Sequence, residues 1–149
     1  MDFRMKVGFG CYLLSLIPCG VFGLLYLFSS QFMPYHAVAI GATWKDLALP
    51  YRILILAFMK GVGAGFLGSS IAGLFVLFIP FRSGFSWANW ALLIGGLVVG
   101  IPSLYAALTV RWSTPASPPW VVSLIGILLV VAGFALSTKR AHAGVGGVK

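Results

Sequence analysis

The sequence predicts an all-α fold: an integral membrane bundle of four transmembrane helices with an interfacial outer loop. Three observations predict it. Four long apolar runs, separated by short polar joints, fill almost the whole 149-residue chain. Hydrophobic residues make up 60% and charged residues only 8% of the composition, with a mean hydropathy of +1.05. A soluble domain of this size has too much surface to cover with so few polar groups. Each run also reaches the length of about 20 residues that a helix needs to cross a hydrocarbon layer of about 30 Å. One compact domain, with no room for a second, is the expectation.

The first predicted span covers residues 7–30. Met1–Lys6 followed by an apolar run has the look of a secretory leader, and Ala37-Val38-Ala39 has the small-residue pattern of a cleavage site. The run is about 24 residues against the roughly 7–15 of a leader, so a retained helix is expected. The outer loop, 31–52, is too apolar to float in water. Within it, Thr43 with Asp46 three residues later reads as the capped start of a short helix that ends before Pro50. That helix is expected to lie flat in the interface with Trp44 and Leu47 turned inward.

The second span covers 53–81, and a short joint leads to the third at 87–110. The loop at 111–119 holds Pro115, Pro118 and Pro119, which favour extended backbone. The fourth span covers 120–137, leaving 138–149 as a tail. The two long loops fall at one end of the bundle and are expected to form a lid there.

Ten Lys and Arg face only Asp2 and Asp46, for a net charge of +8. In a soluble chain that balance would point to nucleic acid, but here the bases stand at membrane edges and no basic-aromatic stripe exists. With four crossings, both termini share a side with Arg4, Lys6, Arg82, Lys139, Arg140 and Lys149. Lys45, Arg52 and Arg111 lie opposite. The positive-inside bias then makes both termini cytoplasmic. Trp87 and Trp90 fall at the inner interface; Trp44, Trp112 and Trp120 fall at the outer one, where amphipathic rings settle.

The second span is dense in small residues. Gly61, Gly65, Ser69 and Gly73 repeat every fourth position as one seam, and Gly96 and Gly100 repeat the device on the third span. Such seams let backbones approach where no hydrophobic effect drives helices together. Packing within the chain is one reading, and an oligomeric surface is the other.

Lys60 is the one base inside a span. An ammonium there costs a few kcal/mol, on the order of 3, unless it snorkels or finds a partner. Pro102 offers a partner by freeing the carbonyl of Val98, with Ser103 and Tyr105 nearby. The spans hold no acid, so they have neither a proton relay nor an acidic cation site. A lone cation suits an anionic guest: a lipid, a quinone or a carboxylate. Lys60, Ser103, Tyr105, Trp44, Arg111 and Trp112 are the residues such a guest would meet.

Catalytic, metal and cofactor sites are not expected. Cys11 and Cys19 are about 12 Å apart along one helix and cannot bridge. They cannot gather with His36 and Asp46 around one ion. Ser69, Ser70 and Ser123 have no histidine at their depth, and no phosphate-binding glycine loop or CxxC occurs.

The strings Met-Pro-Tyr-His-Ala-Val-Ala-Ile-Gly at 33–41, with Trp44, Leu47 and Pro50, and Thr-Pro-Ala-Ser-Pro-Pro-Trp at 114–120 resemble those of small uncharacterised bacterial four-helix inner-membrane proteins. The resemblance implies a bacterial inner membrane and carries no catalytic residue over. Three functions are therefore weighed. The first is an accessory or structural subunit that packs its seams against a larger membrane complex or a second copy. The second is a binder or transporter of an anionic amphiphile around Lys60. The third is a membrane enzyme that uses His36 or Arg52.

Overall fold

The computed structural model describes residues 2–138, and all regular structure among them is helical. The helices are α1 (Phe3–Phe28), α2 (Pro34–Ile40), α3 (Leu49–Val76), α4 (Ser86–Ser113) and α5 (Trp120–Thr138). A π-helical turn, Leu77–Phe81, extends α3. Four of them (α1, α3 with its π turn, α4 and α5) are long and apolar enough to cross a membrane. The expected tail lies outside the described residues, apart from Thr138, which closes α5.

Local chemistry sets the ends. The Asp2 carboxylate caps α1 by accepting from Met5 N at 2.9 Å. Pro34 opens α2 and Gly41, at φ 72°, closes it in the left-handed conformation that glycine tolerates best. Pro50 sits in the first turn of α3, where its missing N–H costs nothing. Gly84, at φ 83°, stops the π turn. The Thr114 hydroxyl donates to Val110 O at 2.7 Å and finishes α4.

These ends correct three expectations. The short helix of the outer loop is α2, which starts at Pro34. Thr43 and Asp46 do make the expected hydrogen bonds, Thr43 N and Oγ1 reaching Asp46 Oδ2 at 3.0 and 2.6 Å, but they close a turn. Pro50 begins α3 instead of ending a helix before it, so α3 starts at Leu49. Arg111 and Trp112 belong to the last turn of α4, and the proline-rich loop shrinks to 114–119.

The long helices pack in the order α3, α1, α5, α4, with a sparser contact between α3 and α4. The start of α1, the end of α5, the π turn and the start of α4 lie at one end, which we call the terminal end. The 29–48 and 114–119 loops lie at the other, the loop end.

The α1–α3 contact follows a four-three spacing on both helices. On α1 it uses Leu16, Cys19, Gly23 and Tyr26; on α3 it uses Gly63, Phe66, Ser70 and Gly73. Gly23 and Gly63 meet backbone to backbone. A methyl added to Gly63 would stand 2.7 Å from Leu27 N, and one on Gly23 would stand 2.6 Å from Leu67 N. Ser70 Oγ donates to Leu16 O at 2.9 Å and Cys19 Sγ donates to Phe66 O at 3.3 Å. Both thiols are free.

Glycines do the same elsewhere. Gly8 and Gly133 face each other's carbonyls between α1 and α5, while Gly96 and Gly100 receive Val130 and Ile127 of α5. Near the terminal end, Tyr12, Leu77, Phe81, Ala88, Leu92 and Val130 form the buried apolar cluster.

Candidate functional site

The loop end carries most of the polar residues singled out from the sequence. Its centre is an aromatic cap. Phe32 is buried and meets Trp44 edge-on at 5.0 Å and His36 at 6.4 Å. The rings of Tyr35 and His36 lie 4.2 Å apart, and the Tyr26 and Tyr35 hydroxyls share a hydrogen bond that ties α2 to α1. Arg52 is clamped, with Nε donating to Leu47 O at 2.7 Å and Nη2 to Lys45 O at 2.5 Å. Its guanidinium stands 5.9 Å from the Trp44 ring centre, a cation–π distance. The outer loop is therefore folded upon itself around Phe32.

Electrostatics follow from this packing. His36 Nδ1 accepts from Met33 N at 3.3 Å, which fixes the ring as the neutral Nε2–H tautomer. Burial lowers its pKa from the ordinary 6.5. Burial raises the Tyr35 phenol, and the hydrogen bond to Tyr26 adds to the rise. The Thr43 hydroxyl, then the Thr43 amide and the nearby Arg52, hold the Asp46 carboxyl below the usual range. A shallow cleft of about 310 Å³ lies beside this cap, lined by Ala37, Val38, Gly41, Ala42, Thr43 and Asp46.

Lys60 has an internal partner, and it is not Val98. Its Nζ donates to Leu27 O at 2.9 Å. That carbonyl belongs to the last turn of α1, where acceptors lack intrahelical donors and the helix dipole favours a cation. The contact also resets the depth of Lys60. Along α3 it lies about 16 Å below Leu49, yet it is level with the end of α1. The first three turns of α3 rise past α1, and Arg52 in the first of them meets Trp44 of the aromatic cap.

The six residues proposed for a guest do not join. Ser103 Oγ donates along its own helix to Val99 O at 2.6 Å. Tyr105 is 74% exposed and Trp112 79% exposed, and Arg111 is exposed too. Trp44 turns onto Phe32 and Arg52. Among the described residues, no hydrogen bond or ring contact links any two of the six.

The predicted small-residue seam divides. Gly73 packs against Leu16, as Gly96 and Gly100 do against α5. Gly61 and Gly65 do not: an added methyl at either would meet nothing within 4 Å. Ser69 is likewise exposed. With Ala57, Ala64, Gly68 and Ala72, also exposed, Gly61 and Gly65 form a flat face on the side of α3 away from α1.

Asn89 was not singled out from the sequence, yet it anchors the terminal end. Tyr12 OH donates to Asn89 Oδ1 at 2.7 Å, and Asn89 Nδ2 reaches Phe134 O and Thr138 Oγ1 at 3.5 and 3.4 Å. It joins three helices. An amide inside an apolar run was the available signal.

Comparison of the chain with protein-family models, with curated proteins and with solved structures returned no match.

Proposed function

We propose that this chain is a multi-pass membrane protein whose task is packing. It acts as an accessory subunit that binds a larger membrane complex, or a second copy of itself, through the outer face of α3. One observation supports this reading above the others: the flattest part of α3, at Gly61 and Gly65, is open, while different glycines serve the internal contacts. Glycine in a helix costs about 1 kcal/mol relative to alanine, and a Cβ at Gly61 or Gly65 would meet nothing within 4 Å among the described residues. A neighbouring helix seated on that face would gain close backbone contact of the kind that drives association in lipid.

The membrane is the bacterial cytoplasmic membrane, with both termini inside. That orientation rests on a count along the sequence: Arg4, Lys6 and Arg82, with Lys139, Arg140 and Lys149 of the tail, against Lys45, Arg52 and Arg111. Extraction into native nanodiscs followed by mass measurement tests the packing role. The expected particle contains a protein mass clearly above the 15.9 kDa chain, and a lone monomer overturns the proposal.

A further inference from the structure

At the loop end, Arg52 and Lys60 donate to the chain's own carbonyls, while Lys45 and Arg111 are exposed with no side-chain partner among the described residues. At the terminal end, Arg4, Lys6 and Arg82 are exposed, and their side chains make no hydrogen bond or ion pair with any described residue. The one acid there, Asp2, is engaged in capping α1.

Two of these bases, Lys6 and Arg82, sit by helical register beside one aromatic contact. Lys6 precedes Phe9 by one turn on the same face of α1. The Phe9 ring meets Phe78 edge-on at 5.2 Å and Phe81 at 6.4 Å, both in the π turn. Arg82 directly follows Phe81 and stands one turn beyond Phe78. Lys6 and Arg82 thus flank the same aromatic seam between α1 and the π turn from its terminal side. The floor of that seam is apolar and partly open, with Phe78 45% exposed and the adjacent Ile79 60% exposed. Two cations with no side-chain partner among the described residues, at the rim above an apolar strip, match the two parts of an anionic phospholipid.

We propose that Lys6 and Arg82 together hold the phosphate of an anionic phospholipid headgroup, with an acyl chain lying along Phe78 and Ile79. A guanidinium offers paired donors to phosphate oxygens and an ammonium supplies a compact second charge. The site rests on the membrane residence proposed above, but not on the α3 packing face.

The test uses the full chain in nanodiscs of mixed phosphatidylglycerol and phosphatidylcholine, with native mass spectrometry counting the lipids retained. Wild type is expected to retain phosphatidylglycerol preferentially. Lys6→Gln and Arg82→Gln should each weaken retention about fivefold, and the pair on the order of thirtyfold. The charge-keeping pair Lys6→Arg with Arg82→Lys should preserve retention, which guards against a folding artefact. Lys45→Gln with Arg111→Gln, at the other end, should change nothing. Equal retention of both lipids by wild type overturns the site, as does an equal loss in the loop-end variant. Displacement of the lipid by inorganic phosphate would show a free-anion site and also overturn it. Failure of the chain to enter nanodiscs would instead defeat the membrane reading.

Discussion

The two faces of α3 are both built from small residues, and the structure uses them in opposite ways. The inner face presents Gly63 and Ser70 to α1, with Leu27 N only 2.7 Å from where a Gly63 methyl would sit. The outer face presents Gly61, Gly65 and Gly68 to empty space. Composition alone does not tell an internal contact from an open surface; phase around the helix does. Gly61 and Gly63 are two residues apart and so point to nearly opposite sides.

The largest expected effect comes from breaking the inner face. Gly63→Leu drives a side chain into the α1 backbone, which cannot yield as a flexible side chain would. Destabilisation of about 3 kcal/mol or more is expected, read as loss of the folded transition in a detergent melt. A fold that tolerates this change would erase the distinction between the faces.

Next is the terminal anchor. Asn89→Ala leaves the Tyr12 hydroxyl buried without its side-chain partner and should cost about 1–2 kcal/mol in the same melt. Tyr12→Phe in the Asn89→Ala background should then add little, because the partner is already gone. Lys60→Met removes the cation from the end of α1 and should cost about 1 kcal/mol. An unchanged melt would mean that Leu27 O needs no donor.

The smallest effect is the response of the aromatic cap to pH. His36 has its pKa lowered in the folded state from 6.5, so the unfolded form binds protons more readily. The cap's contribution is full above that ordinary value and declines as pH falls through the lower folded one. Protonation also occupies Nδ1 and breaks its bond from Met33 N. Protection of the Met33 amide, the slowing of its exchange relative to the intrinsic rate at each pH, should therefore fall on acidification in wild type. In His36→Gln the protection should lose that dependence.

Much of the fold was legible in the sequence. The four apolar runs became four helices, and spans read at 7–30, 87–110 and 120–137 correspond to Phe3–Phe28, Ser86–Ser113 and Trp120–Thr138. The boundary errors share a cause. Pro50 breaks a helix that precedes it but suits the first turn of one that follows, and local sequence does not choose between these roles. Thr43 and Asp46 make the same hydrogen bonds in a turn as in a capping box.

The candidate site was less legible. A four-residue repeat at Gly61, Gly65, Ser69 and Gly73 was the conspicuous pattern, whereas the α1–α3 contact obeys the less visible four-three spacing through Gly63, Phe66 and Ser70. The same spacing in Leu16, Cys19, Gly23 and Tyr26 would have paired the two helices in advance. The partner of Lys60 was hidden for another reason. Its depth was counted along its own helix, and only the end of α1 shows where that depth lies.

The most direct test compares Gly61→Leu/Gly65→Leu with Gly63→Leu for both folding and assembly in native nanodiscs. The outer pair should melt like wild type or slightly higher, since a Cβ at either position would meet no described residue of another element within 4 Å, yet the particle should fall to a single chain. Gly63→Leu should fail to fold at all. An outer-face variant that keeps the wild-type particle mass would contradict the account.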